Sequence, residues 1–193
     1  LEAYFSYNKF SVRLKTKNFT PKEEQIIRKA AYFMCYALGL PTFKKFCLNY
    51  QYKIKTWYWD GLTRKYYYKK YRGFHETNGK SQIEVYNHLM SGQEMRPEET
   101  TPDQEADMFL KIDRSDGGNV IGYTYSGSIW QYIYQWVLEE RSAEYVAGNL
   151  AHEWVHKCGY SHSKNSPTFR KAHKYHTVSY AVGKYVRDFL KKR

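Results

Sequence analysis

Between Asn8 and Lys17 the apolar positions Phe10, Val12 and Leu14 alternate with Arg13 and Lys15, which predicts a strand with one buried face. The period then lengthens. Ile26, Ile27, Ala30, Ala31, Met34 and Leu38 recur every three to four residues and predict a helix. Thr20 can cap it with Pro21 at its first position, Glu23 and Glu24 suit the positive end of its dipole, and Gly39 with Pro41 stops it. From Tyr52 to Trp59 the alternation returns, Asp60-Gly61 supplies a hairpin turn, and Tyr66 to Tyr71 forms the returning strand. The aromatic and basic run Arg64 to Arg72 would suit nucleic acid if its rings were exposed, but alternating spacing places half of them in the core.

Glu94 to Asp107, with Pro97 and Pro102 among acidic residues, reads as a surface loop before a strand at Met108 to Ile112. Asp113 to Asn119 is a turn rich in carboxylates, which fits an ordinary solvated turn better than a calcium loop. Val120 to Ser126 and Ile129 to Leu138 predict two further strands around Gly127. Ala143, Val146, Ala147, Leu150, Trp154 and Val155 then mark the core face of a second helix, and Val182, Val186, Phe189 and Leu190 that of a terminal one. Strands and helices in this order predict an α+β fold with a mixed, twisted sheet.

The 193 residues suit one domain, and 42% hydrophobic with 19% aromatic content excludes a disordered chain. No apolar run approaches the ~18 residues of a membrane span. The net charge is +12, with +11 over residues 1–93, −7 over 94–144 and +8 over 145–193. Two basic ends around an acidic middle would attract an anionic partner or simply form a solvated surface. Three cysteines cannot build a disulfide framework, although a Cys35–Cys47 bridge stays open for an oxidising compartment. Neither an exported nor an intracellular location is singled out.

The chemistry concentrates in His152 to His162, HEWVHKCGYSH. Residues four apart on a helix lie one above the other, so His152 and His156 present two imidazoles to one point. Tyr145, Gly148 and Asn149 continue that stripe, with Gly148 and Asn149 leaving room above the metal. Gly159 can take the left-handed conformation that ends the helix and turns the chain back, bringing His162 to the same point. Three neutral histidines suit Zn²⁺ with an open fourth position, the arrangement of a catalytic site. Glu153 beside them would be the general base. His75, His88, His173 and His176 lack such spacing and are read as non-ligands, and Cys158 as a small buried residue.

With His152, Glu153, His156, Gly159 and His162 in place, the sequence resembles the metzincin clan of zinc metallopeptidases, whose signature is H-E-x-x-H-x-x-G-x-x-H. The resemblance implies a zincin fold over residues 1–193, with the sheet and active-site helix in an upper subdomain (1–159) and a small C-terminal helical lower subdomain (160–193). It implies that His152, His156 and His162 bind zinc and that Glu153 is the catalytic base. Metzincins also carry a methionine turn beneath the metal. Here Val178 stands in the methionine's place, a departure, while Tyr180 matches the tyrosine that stabilises the oxyanion in some members.

The activity so implied is zinc-dependent hydrolysis of a protein or peptide. Substrate would lie extended along Val120, Gly122, Tyr123, Thr124 and Tyr125, adding a strand to the sheet edge. Specificity would come from Ser163 to Val178, where Lys164, Arg170, Lys171 and Lys174 would tolerate acidic side chains. Two alternatives stand beside it: a zinc-holding binding or structural protein without catalysis, and a metalloprotease acting on nucleic-acid-bound proteins.

Overall fold

The computed structural model describes residues 1–95, 102–125, 127–162 and 172–192. A mixed five-stranded sheet has the order β1-β2-β5-β7-β6, with β1 at Glu2–Tyr7, β2 at Phe10–Lys17, β5 at Glu105–Asp113, β6 at Gly122–Thr124 and β7 at Gln131–Tyr134. β2, β5 and β7 run parallel, and antiparallel β1 and β6 form the two edges. Between β2 and β5 the chain forms helices α1 (Pro21–Gly39) and α2 (Pro41–Leu48), the hairpin β3 (Gln51–Asp60) and β4 (Thr63–Arg72), and helix α3 (Gln82–Ser91). Helices α4 (Gln135–Glu140) and α5 (Ala143–Lys157) follow β7, and helix α6 (Val178–Lys191) comes after them. The protein is therefore α+β with a mixed sheet. Among the described residues no helix is long and apolar enough to cross a membrane.

The strand starting at Asn8 begins instead at Phe10. Asn8 sits in the left-handed region (φ 54°), where an asparagine is tolerated, and turns the chain out of the additional strand β1. Phe10, Val12 and Leu14 are fully buried. α1 starts as expected with a reciprocal cap, in which the Thr20 hydroxyl accepts from the Glu23 backbone N–H and the Glu23 carboxylate accepts from the Thr20 N–H at 2.7 Å. Such a cap contributes about 1 kcal/mol. α1 and α5 pack against each other on one face of the sheet, where the Trp154 ring meets Phe10 edge-on at 5.5 Å.

Four expectations are corrected. Ile129 to Leu138 divides into the short strand β7 and helix α4, because a run this short carries too little period to separate strand from helix, and Val137 and Leu138 reach the core from the helix. Glu94 is no loop residue at the surface: it is 2% exposed, and β5 already begins at Glu105. No Cys35–Cys47 bridge forms, since all three cysteines are buried free thiols. Finally, the hairpin does not send half its rings inward. β3 and β4 make a separate two-stranded sheet, buried at its base, where Tyr52 stacks on Tyr71 and His176, and exposed beyond it.

Buried Glu94 ties α5 to the sheet. One carboxylate oxygen accepts from the Trp154 indole at 2.7 Å and from the Asp107 backbone N–H at 3.1 Å, while the Lys157 ammonium donates to the Asp107 carbonyl at 2.5 Å. Burial pushes the Glu94 carboxyl up to about 7. Because the folded state holds this proton more tightly than the unfolded chain, stability falls as pH rises from about 4.5 through 7. Glu94→Gln mimics the protonated acid and its amide oxygen keeps both acceptor bonds. Relative to the wild type, its unfolding free energy should rise by about 3 kcal/mol between pH 5 and pH 8, measured by urea denaturation.

Candidate metal centre

Helix α5 supplies the first two members of the site. Ser142 caps it by accepting from the Tyr145 N–H, Glu144 sits in its first turn, and Val146, Ala147, Leu150, Ala151, Trp154 and Val155 bury its core face. The opposite stripe carries His152 and His156 one turn apart. The helix ends at Cys158, and Gly159 at φ 92° reverses the chain in a conformation that a side chain would strain. The reversal brings His162 back to α5. His156 Nε2 then lies 3.2 Å from His152 Nε2 and 3.0 Å from His162 Nε2, and all three ligand atoms lie within 4.8 Å of one another.

The hydrogen bonds on the far side of each ring decide what these nitrogens are. His156 Nδ1 is 2.6 Å from the Tyr160 carbonyl, which only accepts, so this nitrogen carries the hydrogen and Nε2 carries a lone pair. The His152 ring is likewise bonded to the Ser179 backbone, and His162 Nδ1 is 3.3 Å from the Ser179 hydroxyl. Burial and the neighbouring rings push His152 down to about 2 and His162 down to about 4, and burial lowers His156 as well, so the rings are neutral at ordinary pH. His156 Nε2 turns its lone pair toward the Nε2 atoms of His152 and His162 at 3.2 and 3.0 Å, and a cation between the three would be shared by all of them. Ligand atoms about 2.0–2.1 Å from a tetrahedral zinc are separated by roughly 3.4 Å, so the donor set and its spacing fit that ion.

The third support comes from α6, where sequence reading placed Val178 and Tyr180 but neither Ser179 nor the crossing of two helices. α5 and α6 cross at Gly148 and Gly183, where a Cβ on either glycine would lie 2.7 Å from the other's carbonyl oxygen. Gly148 therefore admits a second helix and, with Asn149, also lines the cleft beside the histidines. This approach places Ser179 under His152 and His162, and the Tyr180 ring 4.6 Å from each of those two rings. The Lys174 ammonium donates to the Tyr180 hydroxyl, and this bond holds the Lys174 pKa up. Val178 is fully buried at the first position of α6. In Gly183→Val the new side chain would meet His152 Cβ, 3.0 Å from an ideal Cβ, as well as the Gly148 carbonyl. We expect it to lower unfolding stability by about 1–3 kcal/mol or more and to weaken metal affinity, measured by thermal unfolding and metal titration.

Beside the histidines lies a cleft of about 610 Å³. Glu153, 6% exposed, reaches its wall and accepts from the Thr124 hydroxyl at 2.9 Å; burial pushes its carboxyl up to about 7. Thr124 belongs to edge strand β6, whose outer side faces the cleft. Val120, Gly122, Tyr123 and Thr124 line it, whereas Tyr125 is exposed and rests on the rings of Tyr123 and Tyr132. Lys174 and Tyr175 close the opposite wall with Tyr180. Ser163 to Lys171, including Lys164 and Arg170, lie outside the described residues, as does Ser126.

The remaining histidines stand apart from this centre. His88 Nδ1 bonds the Tyr160 hydroxyl, His173 Nδ1 that of Tyr52 and His176 Nδ1 that of Tyr50, each at 2.9 Å. Among the described residues only His152, His156 and His162 form a group that could hold a metal. Cys158 is buried and takes no part. Compared with models of protein families, with curated proteins and with solved structures, the chain matches none.

Proposed function

We propose that this protein is a zinc-dependent peptidase related to the metzincins. One observation carries the reading: three imidazoles bring their Nε2 atoms to a common point that opens onto a cleft, with a buried carboxylate on one side and a sheet edge on the other. The order of elements agrees with the resemblance, since a mixed sheet precedes the helix that bears the histidines. Valine in place of the turn methionine keeps an apolar residue at the start of α6, though a smaller one.

Zinc held by His152, His156 and His162 would polarise the scissile carbonyl and acidify water in the cleft. The remaining roles fall to protein groups. Strand β6 offers its outer backbone N–H and carbonyl groups to an extended peptide, which fixes the register of the scissile bond. Glu153, oriented by Thr124, takes a proton from the attacking water and returns it to the departing amine. Tyr180 can donate its phenolic hydrogen to the carbonyl oxygen as negative charge develops, because Lys174 already occupies a lone pair of the hydroxyl. Tyr180→Phe separates this role from packing, since the ring against His152 and His162 is kept.

The test is metal analysis of the purified chain together with cleavage of a mixed peptide library followed by mass spectrometry. One equivalent of zinc with chelator-sensitive cleavage supports the proposal. One equivalent of zinc with no cleavage identifies a zinc-holding binding protein instead, and absence of any bound transition metal removes both readings.

A further inference from the structure

The β3–β4 hairpin carries a second surface unrelated to the metal centre. Directly opposed residues of an antiparallel pair point to the same side, and the register pairs Lys53 with Lys70, Lys55 with Tyr68, Trp57 with Tyr66 and Trp59 with Arg64. One face of the ribbon therefore collects five cations (Lys53, Lys55, Arg64, Lys70 and Arg72), four rings (Trp57, Trp59, Tyr66 and Tyr68) and Gln51, with no acid. Every one of these ten residues is exposed, up to 70% for Trp59. The hairpin's single acid, Asp60, points to the other face and pairs there with Lys65. That other face also anchors the ribbon, through Tyr52 and Tyr71 against His173.

Cations and rings on the exposed face are interleaved. The Lys55 ammonium sits 4.5 Å from the Trp57 ring centre and 3.8 Å from that of Tyr66, and the Arg64 guanidinium 4.4 Å from Trp57. A monomeric protein gains nothing in its core from four large rings left in water, and like charges so close together repel. An occupant that offsets both must present planar apolar groups and negative charges in alternation along a strand. Unpaired nucleic acid does so, with bases to stack and a phosphate on each residue. Duplex DNA hides its base faces. An anionic lipid surface offers no planes to stack on, and inserting this ribbon would bury its cations, since only Leu62 at the tip is both aliphatic and fully exposed. An acidic peptide or polysaccharide would meet the charges and leave the rings uncovered.

We propose that this face binds single-stranded nucleic acid, with Trp57, Trp59, Tyr66 and Tyr68 stacking on bases and Lys53, Lys55, Arg64, Lys70 and Arg72 meeting phosphates. The surface does not depend on metal or on Glu153, so its test is independent of the proposed peptidase activity.

The experiment measures fluorescence anisotropy of a labelled 20-nucleotide oligo(dT) with the whole 193-residue chain, across a salt series, beside a 20-base-pair duplex, heparin as competitor, and vesicles of phosphatidylserine and phosphatidylcholine. We expect oligo(dT) to bind more tightly than the duplex, with quenching of tryptophan fluorescence. The slope of log K against log salt should be about −2 to −4, from roughly 0.7 per phosphate over three to five contacts. Trp57→Ala with Tyr66→Ala should weaken binding at least about tenfold. The pair Tyr58→Ala with Tyr67→Ala, on the opposite face, should change it less than about twofold. All four rings are exposed, so circular dichroism and melting temperature should match the wild type. Equal loss from the two pairs, no loss from either, tighter binding of duplex, or binding to vesicles in preference to oligo(dT) would each overturn the proposal.

Discussion

Glu153→Gln should bind zinc as the wild type does and hydrolyse peptide with kcat/KM lowered by about 10²–10⁴, the loss falling on kcat. The substitution is chosen for what it keeps. Glutamine has the shape of glutamate, and its amide oxygen can accept the Thr124 hydroxyl hydrogen that Glu153 accepts now at 2.9 Å, so the junction between α5 and edge strand β6 stays closed. It cannot take a proton from water at neutral pH. A carboxylate present only to hold Thr124 would therefore be replaced without kinetic cost, and the two roles give opposite results. Steady-state kinetics on one cleaved peptide, with zinc quantified in the same samples, measures the difference. Thr124→Val supplies a graded companion: the carboxylate remains while its orienting bond is lost, which should lower kcat by about tenfold. Turnover by Glu153→Gln at the wild-type rate would remove the general base from the mechanism.

How far the sequence reaches depends on whether a signal is local. The caps of α1, the alternation in β2, the turn of the hairpin and the histidine spacing on α5 are each written within a few residues, and each appears in the structure where it is expected. α3 is absent from the expectations although Ser81 and Glu84 form the same reciprocal cap as Thr20 and Glu23, because its short apolar pattern gives little contrast. Other features are properties of the assembled chain. Nothing near Ser179 marks it as the residue that steadies two imidazoles, because that follows from the crossing of α5 and α6 at Gly148 and Gly183. Nor does alternation reveal that a hairpin stands clear of the core; the same period describes a ribbon with one face buried and one with both in water. Glu94 misleads for a related reason. Among prolines and acids it reads as loop, yet its oxygen fits between the Trp154 indole and the Asp107 N–H.

Zinc should also act as a stabilising ligand, and strongly. His152 and His156 belong to α5, whereas His162 lies beyond the reversal at Gly159, and Ser179 of α6 touches the rings of His152 and His162. An ion shared by the three nitrogens thus fastens the helix to the turn that follows it and, through Ser179, to α6. The unfolded chain offers no such convergence. A ligand specific to the folded state at a thousand times its dissociation constant contributes about 4 kcal/mol. At about 2–4 °C per kcal/mol for a chain of this size, that raises Tm by about 8–16 °C over the chelated protein, measured by calorimetry with EDTA and with zinc. His156→Ala, which removes the central nitrogen, should abolish the difference between the two conditions. Ser179→Ala leaves all three ligands and the backbone bond to His152 but releases His162 from the hydroxyl, so affinity should drop about tenfold and the shift should shrink without vanishing. That ordering of wild type, Ser179→Ala and His156→Ala separates a built metal site from histidines that merely lie close together. Identical melting of chelated and zinc-loaded wild type would reduce the cluster to a packing feature.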